Sequence, residues 1–317
     1  MRMRRTLAYF VFAACVIFFA VKNRAADVHS EVRSGDWTIS KSDEPAKVEF
    51  SLIERHHGGM SSHESDWPAS SFQGVDFSKP GRQDVHFTIT RDAGKLDCEG
   101  FLNDGEGAGL FHFQPDPSYP REMESLGFPI DGEKQYGMAI QDVSLAFARQ
   151  MKGEHLSGLD ADKLVAFRIF RVDADFIEGL RAEGLKTSDS DKLVAFRIHG
   201  VTPQMIRSLH QAGYTPDEDT LIAMRIHGAT PEWMEQLKRR GYDHVDLQKL
   251  IAFRIHGVSP EFIEKLQGLG YSHPDPDDLI AMRIHNVTPE YIADMRSRGV
   301  KDLSIDKLVS MRIHGID

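Results

Sequence analysis

A repeat of about 29 residues, a period typical of stacked architectures, constrains this chain more than any other feature of its sequence. The segment "AFRIHGVTPQMIRSLHQAGY", from Ala195 to Tyr214, has three near-copies downstream. Such a fixed period indicates a stack of small units, because one unit cannot bury its apolar face alone. We therefore predict an α-helical repeat array of two-helix units over residues 118–317. Phased on its arginine, the pattern recurs with nearly constant spacing at Arg168, Arg197, Arg225, Arg254, Arg283 and Arg312.

The first helix of each unit is delimited by polar and glycine residues. In the second copy Asp189 can accept hydrogen bonds from free backbone N–H groups at the helix start. Gly200 supplies the left-handed residue that ends the helix, with Val201 folding back on Phe196. A helix of about ten residues is unstable in isolation, so we expect neighbouring units to bury its apolar side chains. Those side chains are Leu193, Val194, Phe196 and Ile198.

The second helix follows at once. Thr202 caps it, and Pro203 occupies the first turn, where a missing N–H costs nothing. Its predicted end is Gly213, with Tyr214 folding back toward Leu209. The predicted buried stripe consists of Met205, Ile206 and Leu209. A degenerate copy, "MAIQDVSLAF", precedes the others with Ala139 in place of the arginine, and "PSYPREMESLGF" ahead of it indicates one more half-unit.

One arginine recurs in every full copy, one helical turn before the first helix ends. Its predicted role is structural, because a cation near the negative end of the helix dipole stabilises the helix. We expect it to pair with an acidic residue of the next unit. The alternative is a surface row that binds an acidic partner. The candidates are Arg168, Arg197, Arg225, Arg254, Arg283 and Arg312.

One histidine follows two residues after the arginine in most copies, and it invites a metal interpretation. Packed helices lie roughly 8–10 Å apart, whereas zinc needs each imidazole nitrogen about 2 Å away. We therefore favour capping of free carbonyls at the helix end over metal or ligand binding, and predict no metal or other cofactor. Phe170 replaces this histidine in the first copy. The candidates are His199, His227, His256, His285 and His314.

Residues 36–117 have a different texture, with apolar and polar residues alternating between short turns. The strand-like stretches predict a small antiparallel β domain, within which residues 91–113 form a three-stranded meander. The stretch from Ile53 to His86 is predicted to be a long loop that holds His56, His57 and His63 in solvent. We expect Cys98 and the three tryptophans, Trp37, Trp67 and Trp233, to be buried.

The first residues predict export and anchoring. Three arginines precede an apolar run over residues 7–21, which favours a signal-anchor over residues 1–26 that keeps its start in the cytoplasm. A cleaved signal peptide, or lipid attachment at Cys15, are the alternatives. Residues 27–35 form a polar linker. The expected location is the bacterial inner membrane, as a single-pass protein with its main body outside the cytoplasm.

The charge of the chain argues against one class of partner. The formal net charge is -10, and five basic residues with no acidic residue fall within residues 1–26. The body is thus about five units more acidic than the whole, whereas nucleic-acid binding needs concentrated Lys and Arg. Nucleic acid is not expected as a partner.

Several short blocks resemble one known family. "RDAGKLDCEGFLNDGEGAGLFHFQPDPSYP" followed by "HGV" repeats is similar to the extracytoplasmic tail of antibiotic-sensing-type regulatory membrane metallopeptidases. The resemblance extends from about residue 36 onward. It implies a sensing or interaction part, because the family's HExxH zinc motif and multiple membrane spans have no counterpart here. No catalytic residue is carried over.

Together these features predict an α+β protein with an N-terminal membrane helix. We expect a non-enzymatic envelope protein that presents a surface to a protein or other envelope ligand. Such an array should carry an exposed apolar or like-charged strip, for example at Gln204, Glu232, Glu261 and Glu290. A small-ligand sensor would instead have a closed pocket in or beside the β domain. An enzyme, the third hypothesis, would gather Asp, Glu, His or Cys in a cleft.

Overall fold

A six-stranded antiparallel sheet precedes fourteen helices in the computed structural model, which describes residues 33–56, 59–301 and 303–316. The predicted α+β order of elements is confirmed. The predicted membrane helix at residues 7–21 lies outside the described residues, as do the rest of residues 1–26 and most of the predicted linker. In the described part of the chain, no helix combines the length and apolarity that crossing a membrane requires.

The sheet has the strand order β3-β2-β1-β6-β5-β4, and every neighbouring pair is antiparallel. The predicted meander is confirmed, because β4, β5 and β6 are consecutive neighbours. β1 begins three residues before the predicted start at Asp36. The strands are β1 Arg33–Lys41, β2 Lys47–His56, β3 Gly59–Pro68, β4 Arg82–Arg91, β5 Gly94–Asn103 and β6 Glu106–Pro115.

The third strand corrects the prediction of a loop between Ile53 and His86. β3 pairs with β2 from Lys47↔Pro68 to His56↔Gly59. Its burial alternates: His63, Ser65 and Trp67 turn inward, while their neighbours are exposed. Only Trp67 among these three is apolar, so the strand lacks the alternating apolar pattern that identifies the others.

The sheet curls around an aromatic core. Phe50 on β2 and Phe87 on β4 have ring centroids 6.4 Å apart, although three strands separate them in the sheet order. Phe72, just after a short 3-10 turn at Ala69–Ser71, contacts both rings at 5.2 and 5.4 Å. The connection between β3 and β4 therefore fills the space that the curled sheet leaves open. Trp37 is fully buried in the same core.

The helices form two rows. The even-numbered helices are the first helices of the units, and from α4 to α14 each packs on the next even-numbered one. The odd-numbered second helices pack likewise in the pairs α1/α3, α5/α7, α7/α9 and α11/α13. The bounds are α1 Tyr119–Ser125, α2 Gly132–Ile140, α3 Leu145–Gly153, α4 Ala161–Phe170, α5 Ala174–Ala182, α6 Ser190–His199, α7 Pro203–Gln211, α8 Glu218–His227, α9 Pro231–Lys238, α10 Leu247–His256, α11 Pro260–Gly268, α12 Pro276–Ile284, α13 Pro289–Ser297 and α14 Ile305–Ile313.

The predicted starts and ends of the first helices are confirmed. The Asp189 carboxylate accepts from the N–H groups of residues 191 and 192 at the start of α6. At its end Gly200 has φ 72°, and the Val201 N–H donates to the Phe196 carbonyl at 2.8 Å. The carboxylates that cap the other first helices of the full copies in the same way are Asp160, Asp217, Asp246 and Asp275.

The second helices obey the same rules. The Thr202 hydroxyl accepts from the Met205 N–H, and the Tyr214 N–H donates to the Leu209 carbonyl at 2.9 Å beyond Gly213. The predicted stripe of Met205, Ile206 and Leu209 is buried. The degenerate copy also ends its first helix in this manner, with Asp142 at φ 52° and the Val143 N–H donating to Met138.

The sheet covers the first end of the array. The buried Gln135 amide on α2 donates to the carbonyls of Ala93 and Asp116 at 2.8 and 2.7 Å. Tyr136 on the same helix packs on Phe113 of β6 with ring centroids 5.1 Å apart. The sheet thus hides the apolar side of α2, as a capping unit must at the end of a repeat array.

Candidate interaction surface

The recurrent arginines connect successive first helices. The Nε of Arg225 donates to the His199 carbonyl at 2.9 Å, at the end of the preceding unit's first helix. Arg254 and Arg283 repeat this with the two histidine carbonyls that follow, at 3.1 and 3.2 Å. The predicted dipole interaction is therefore found, but its helix belongs to the preceding unit. The expected acidic partner in the next unit is replaced by Asp142 for Arg168 and Asp173 for Arg197, both in the preceding unit.

Five of the six guanidinium groups also cover an aromatic ring of the preceding unit's second helix. This packing places the cation over the ring face, where the ring quadrupole attracts it. Arg225 differs, since Met205 occupies the corresponding position. The pairs, with distances to the ring centroid, are Arg168 on Phe147 at 5.3 Å, Arg197 on Phe176 at 3.9 Å, Arg254 on Trp233 at 5.2 Å, Arg283 on Phe262 at 5.1 Å and Arg312 on Tyr291 at 4.6 Å.

The glycine that ends the first helix has a second reason to be small. A Cβ built on Gly200, Gly228 or Gly257 would lie 2.7–2.9 Å from Nη2 of the next unit's arginine. Arg171 stands there in the first copy, at φ 57°. In the next unit, the Nε of Arg197 donates to no carbonyl and is buried without a hydrogen-bond partner. Burial lowers the pKa of the Arg197 guanidinium.

We predict that Arg225→Met lowers the free energy of unfolding by about 1 kcal/mol, because it deletes a charged hydrogen bond at a half-buried helix end while keeping an apolar stem. Urea denaturation followed by circular dichroism measures this. The control is Arg239→Met, whose side chain is 71% exposed and pairs with Glu235 one helical turn earlier. That change should cost a few tenths of a kcal/mol at most. Equal effects from the two variants would contradict the role assigned to Arg225.

The histidines contribute mainly through their backbone. His199, His227 and His256 are the last residues of their helices, and their carbonyls accept the arginines described above. His285 and His314 stand just beyond α12 and α14. Ring capping is seen at His314, whose Nδ1 lies 2.7 Å from the Ser310 carbonyl. No group of three or more His, Cys, Asp or Glu suited to a metal ion occurs among the described residues.

The isoleucine between arginine and histidine is the exposed member of the motif. Two residues along an α-helix turn through more than half a circle, so Ile198 points away from the core that buries Phe196. The exposed fractions range from 48% to 57% across full copies. The prediction that this residue packs between units was therefore wrong, and a helical projection would have shown it. We call these six side chains the isoleucine row: Ile169, Ile198, Ile226, Ile255, Ile284 and Ile313.

Smaller apolar residues extend the isoleucine row. One turn earlier on each helix of the row stand an alanine or serine and a valine or isoleucine, for example Ala223 and Ile222 before Ile226. These side chains are mostly half-buried, so they form a floor beneath the exposed isoleucines. Contiguous apolar strips of this kind are uncommon on soluble monomers and usually mark contact sites.

The variable positions named as a possible strip are exposed, and three of them also stabilise helix starts. Gln204, Glu232, Glu261 and Glu290 are all exposed. The three glutamates stand in the first turns of their helices, where backbone N–H and capping hydroxyl groups lower the pKa of each carboxyl. The glutamates therefore stabilise helix starts, and as exposed carboxylates they match the like-charged form of the predicted strip and not the apolar form.

On the side of the isoleucine row opposite the arginines, ion pairs connect successive first helices. A lysine of one unit meets an aspartate of the next, as in Lys134–Asp162 at 2.6 Å and Lys249–Asp277 at 2.7 Å. At the last interface the lysine is replaced by Asp278. Burial is the largest cause that raises the pKa of Asp278, and the negative charges of the Asp275 and Asp306 carboxylates raise it further. The further pairs of this series are Lys163–Asp191 and Lys192–Asp219.

We predict that Asp278→Asn raises stability at pH 7, and that Asp278→Lys raises it further by restoring the pair with Asp306. The pKa of Asp278 is higher in the folded state than in the unfolded one, so its cost grows as pH rises from about 4. The gain should be a few tenths of a kcal/mol to about 1 kcal/mol at pH 7 and should shrink toward pH 4.5. Urea denaturation at both pH values tests it. Asp277→Asn is the control of opposite sign, because it removes the pair with Lys249.

The remaining polar candidates are structural. The half-buried His63 ring on β3 lies 3.2 Å from the Gln141 amide, and burial lowers its pKa. His56 ends β2, and His57 lies outside the described residues. Cys98 is fully buried between β4 and β6, and burial raises the pKa of its thiol. The predicted burial of Cys98 and of Trp37, Trp67 and Trp233 is confirmed.

The described surface includes a groove on the sheet and a hollow in the array. A groove of about 880 Å³ crosses the outer face of the sheet, lined by Phe101 and Leu110, which are 37% and 49% exposed. A second hollow of about 400 Å³ lies between α7 and α9, beside Tyr214 and Tyr242. It falls beside the one short unit of the array, whose loop after Tyr214 has one residue fewer than its equivalents.

No protein-family model, curated protein or solved structure matches this chain.

Proposed function

We propose that this protein is a non-enzymatic, membrane-anchored interaction protein whose helical array binds another protein outside the cytoplasm. The isoleucine row is the observation that carries this proposal. Six β-branched apolar side chains, one per full copy, stand half-exposed on successive first helices, α4 to α14. The cores of the same helices are already filled by buried residues such as Phe196 and Phe253. The row is therefore available to a partner without any rearrangement of the fold.

The energetics favour a partner that contacts several units at once. Full burial of an isoleucine stabilises by about 1.5–3 kcal/mol, so the exposed half of each contributes about 1 kcal/mol. One isoleucine cannot repay the cost of association, whereas six together offer roughly 6 kcal/mol before neighbouring contacts are added. An extended array is suited to this kind of distributed recognition.

The placement outside the cytoplasm rests on the export signal of residues 1–26 and on the resemblance to extracytoplasmic sensing tails. A sensing role is consistent with this placement. Buried contacts of Gln135 and Tyr136 connect the sheet to the array, so a change in one part can reach the other. The outer groove of the sheet supports the alternative of a small-ligand sensor. The exposure of Phe101 and Leu110 weakens that alternative, because sensor pockets enclose most of their ligand.

The test is a pull-down from native membranes with residues 27–317. The described residues belong to one compact unit, so this fragment keeps the sheet and the array together. The Ile226→Glu/Ile255→Glu variant should lose the captured protein. The matched control, Gln211→Glu/Gln236→Glu, adds the same number of carboxylates at exposed second-helix positions and should retain it. Equal capture by all three proteins would refute a role for the isoleucine row.

A further inference from the structure

We propose that the isoleucine row is the contact surface between two copies of this chain. A two-fold axis relates the two copies, so that their arrays are antiparallel. This inference rests on the proposed function, because it names the partner that the same row binds. Four properties of the row support it: its pitch, its shape, its charge and its size.

The pitch of the row selects its partner. Successive isoleucines lie one unit apart, and neighbouring packed helices are separated by about 8–10 Å. A partner must match this spacing over five intervals to engage all six side chains. A second copy of the array has the same pitch by construction. A two-fold axis between Ile226 and Ile255 then pairs the third residue of one row with the fourth of the other, and the first with the last.

The surface beside the isoleucines has the complementary shape. Five of the six helices that carry the row have an alanine three residues before the isoleucine, on the same face. The alternation of a large and a small residue lets a protruding isoleucine of one copy lie over an alanine of the other. The small residues are Ala166, Ala195, Ala223, Ala252 and Ala281, and Ser310 takes the place in α14.

The charges near the row do not oppose self-association. The chain as a whole is acidic, with a formal net charge of -10. Most carboxylates bordering the row on the first helices, however, are paired with lysines of the preceding unit, as in Lys249–Asp277. The guanidinium groups on the other border add positive charge. Two acidic chains thus meet where their charges are largely compensated.

The size of the strip is sufficient for a reversible dimer. Five intervals give a length of roughly 40–50 Å, and two helical turns give a width of about 11 Å. The strip therefore covers about 500 Å² on each copy, or about 1,000 Å² in total, which is the lower end of specific interfaces. We expect a reversible dimer.

Cysteine cross-linking in native membranes tests the antiparallel arrangement with the full chain. In a Cys15→Ser background, one tagged chain carries Ile198→Cys and a differently tagged chain carries Ile284→Cys. The two-fold axis brings these positions together, whereas two copies of Ile198→Cys lie three layers apart, roughly 24–30 Å. We expect about tenfold more cross-linking with a short bis-maleimide for the mixed pair than for the like pair, because only the mixed pair falls within its reach.

Adding Ile226→Glu/Ile255→Glu to both chains should lower the mixed cross-link about tenfold, because four carboxylates then face one another at the axis. Gln211→Glu/Gln236→Glu should leave it unchanged, and circular dichroism verifies that both variants fold. Equal yields for like and mixed pairs, or no cross-link above the Cys15→Ser background, overturn the inference. In either case the pull-down from membranes still decides the proposed function, since capture of a different protein through the row does not require a dimer.

Discussion

Replacing Phe253 with alanine is expected to lower the free energy of unfolding by about 3–5 kcal/mol. The ring is fully buried on α10, where the helix packs on both α8 and α12. Removing it leaves a cavity at two interlayer contacts at once. Because each unit depends on its neighbours, the loss should separate the last units from the rest of the array before the sheet unfolds. Urea denaturation should therefore show a broadened or two-step transition.

The same helix provides the control. Ile255 is two residues away and 53% exposed. Ile255→Ala should change stability by only a few tenths of a kcal/mol, because little area is buried there. If Phe253→Ala also cost less than about 1 kcal/mol, the helical units would not be held together by interlayer packing. The pair of variants separates the residues that hold the array together from the residues that a partner contacts.

Replacing Gly109 with alanine should disrupt the sheet, at a cost of about 3 kcal/mol or more. A Cβ at this position would lie 2.0 Å from the Glu99 carbonyl oxygen and 2.7 Å from Cε2 of the Trp37 indole. The first contact is with backbone, so no side-chain movement relieves it. Trp37 would lose its fully buried environment, and its fluorescence emission should shift to longer wavelength.

Gly137→Ala is the matched control for the sheet variant. Gly137 lies within α2, and a Cβ there meets no atom within 4 Å. Alanine is the better helix former by roughly 0.5–1 kcal/mol, so this variant should be slightly more stable than the native protein. A Gly109→Ala protein with native stability and unshifted tryptophan emission would show that the indole does not rest on β5 and β6 as described.

Much of the helical part could be read from the sequence because its signals are local. The cap at Asp189, the left-handed Gly200 and the return of Val201 to Phe196 involve residues no more than five positions apart. The same holds for Thr202 and Gly213 in the second helix. The number and order of the helices followed from the recurrence of those signals in each copy of the repeat.

Only part of the candidate surface could be predicted from local signals in the sequence. The sequence predicts a structural role for the arginines, but the carbonyls that accept from them lie in the preceding unit, 26–27 residues away. The apolar pattern predicts the isoleucines in the interlayer core, although the angle between Phe196 and Ile198 around the helix already separates them. β3 was missed because two of its three inward residues, His63 and Ser65, are polar.

The start and end of each helix follow from local sequence, since capping and termination depend on neighbours along the chain. Tertiary structure alone decided which unit each arginine contacts, how far the sheet curls around Phe50 and Phe87, and that His63 belongs to a strand. Those outcomes depend on atoms brought together from distant parts of the chain, whose packing no local pattern encodes.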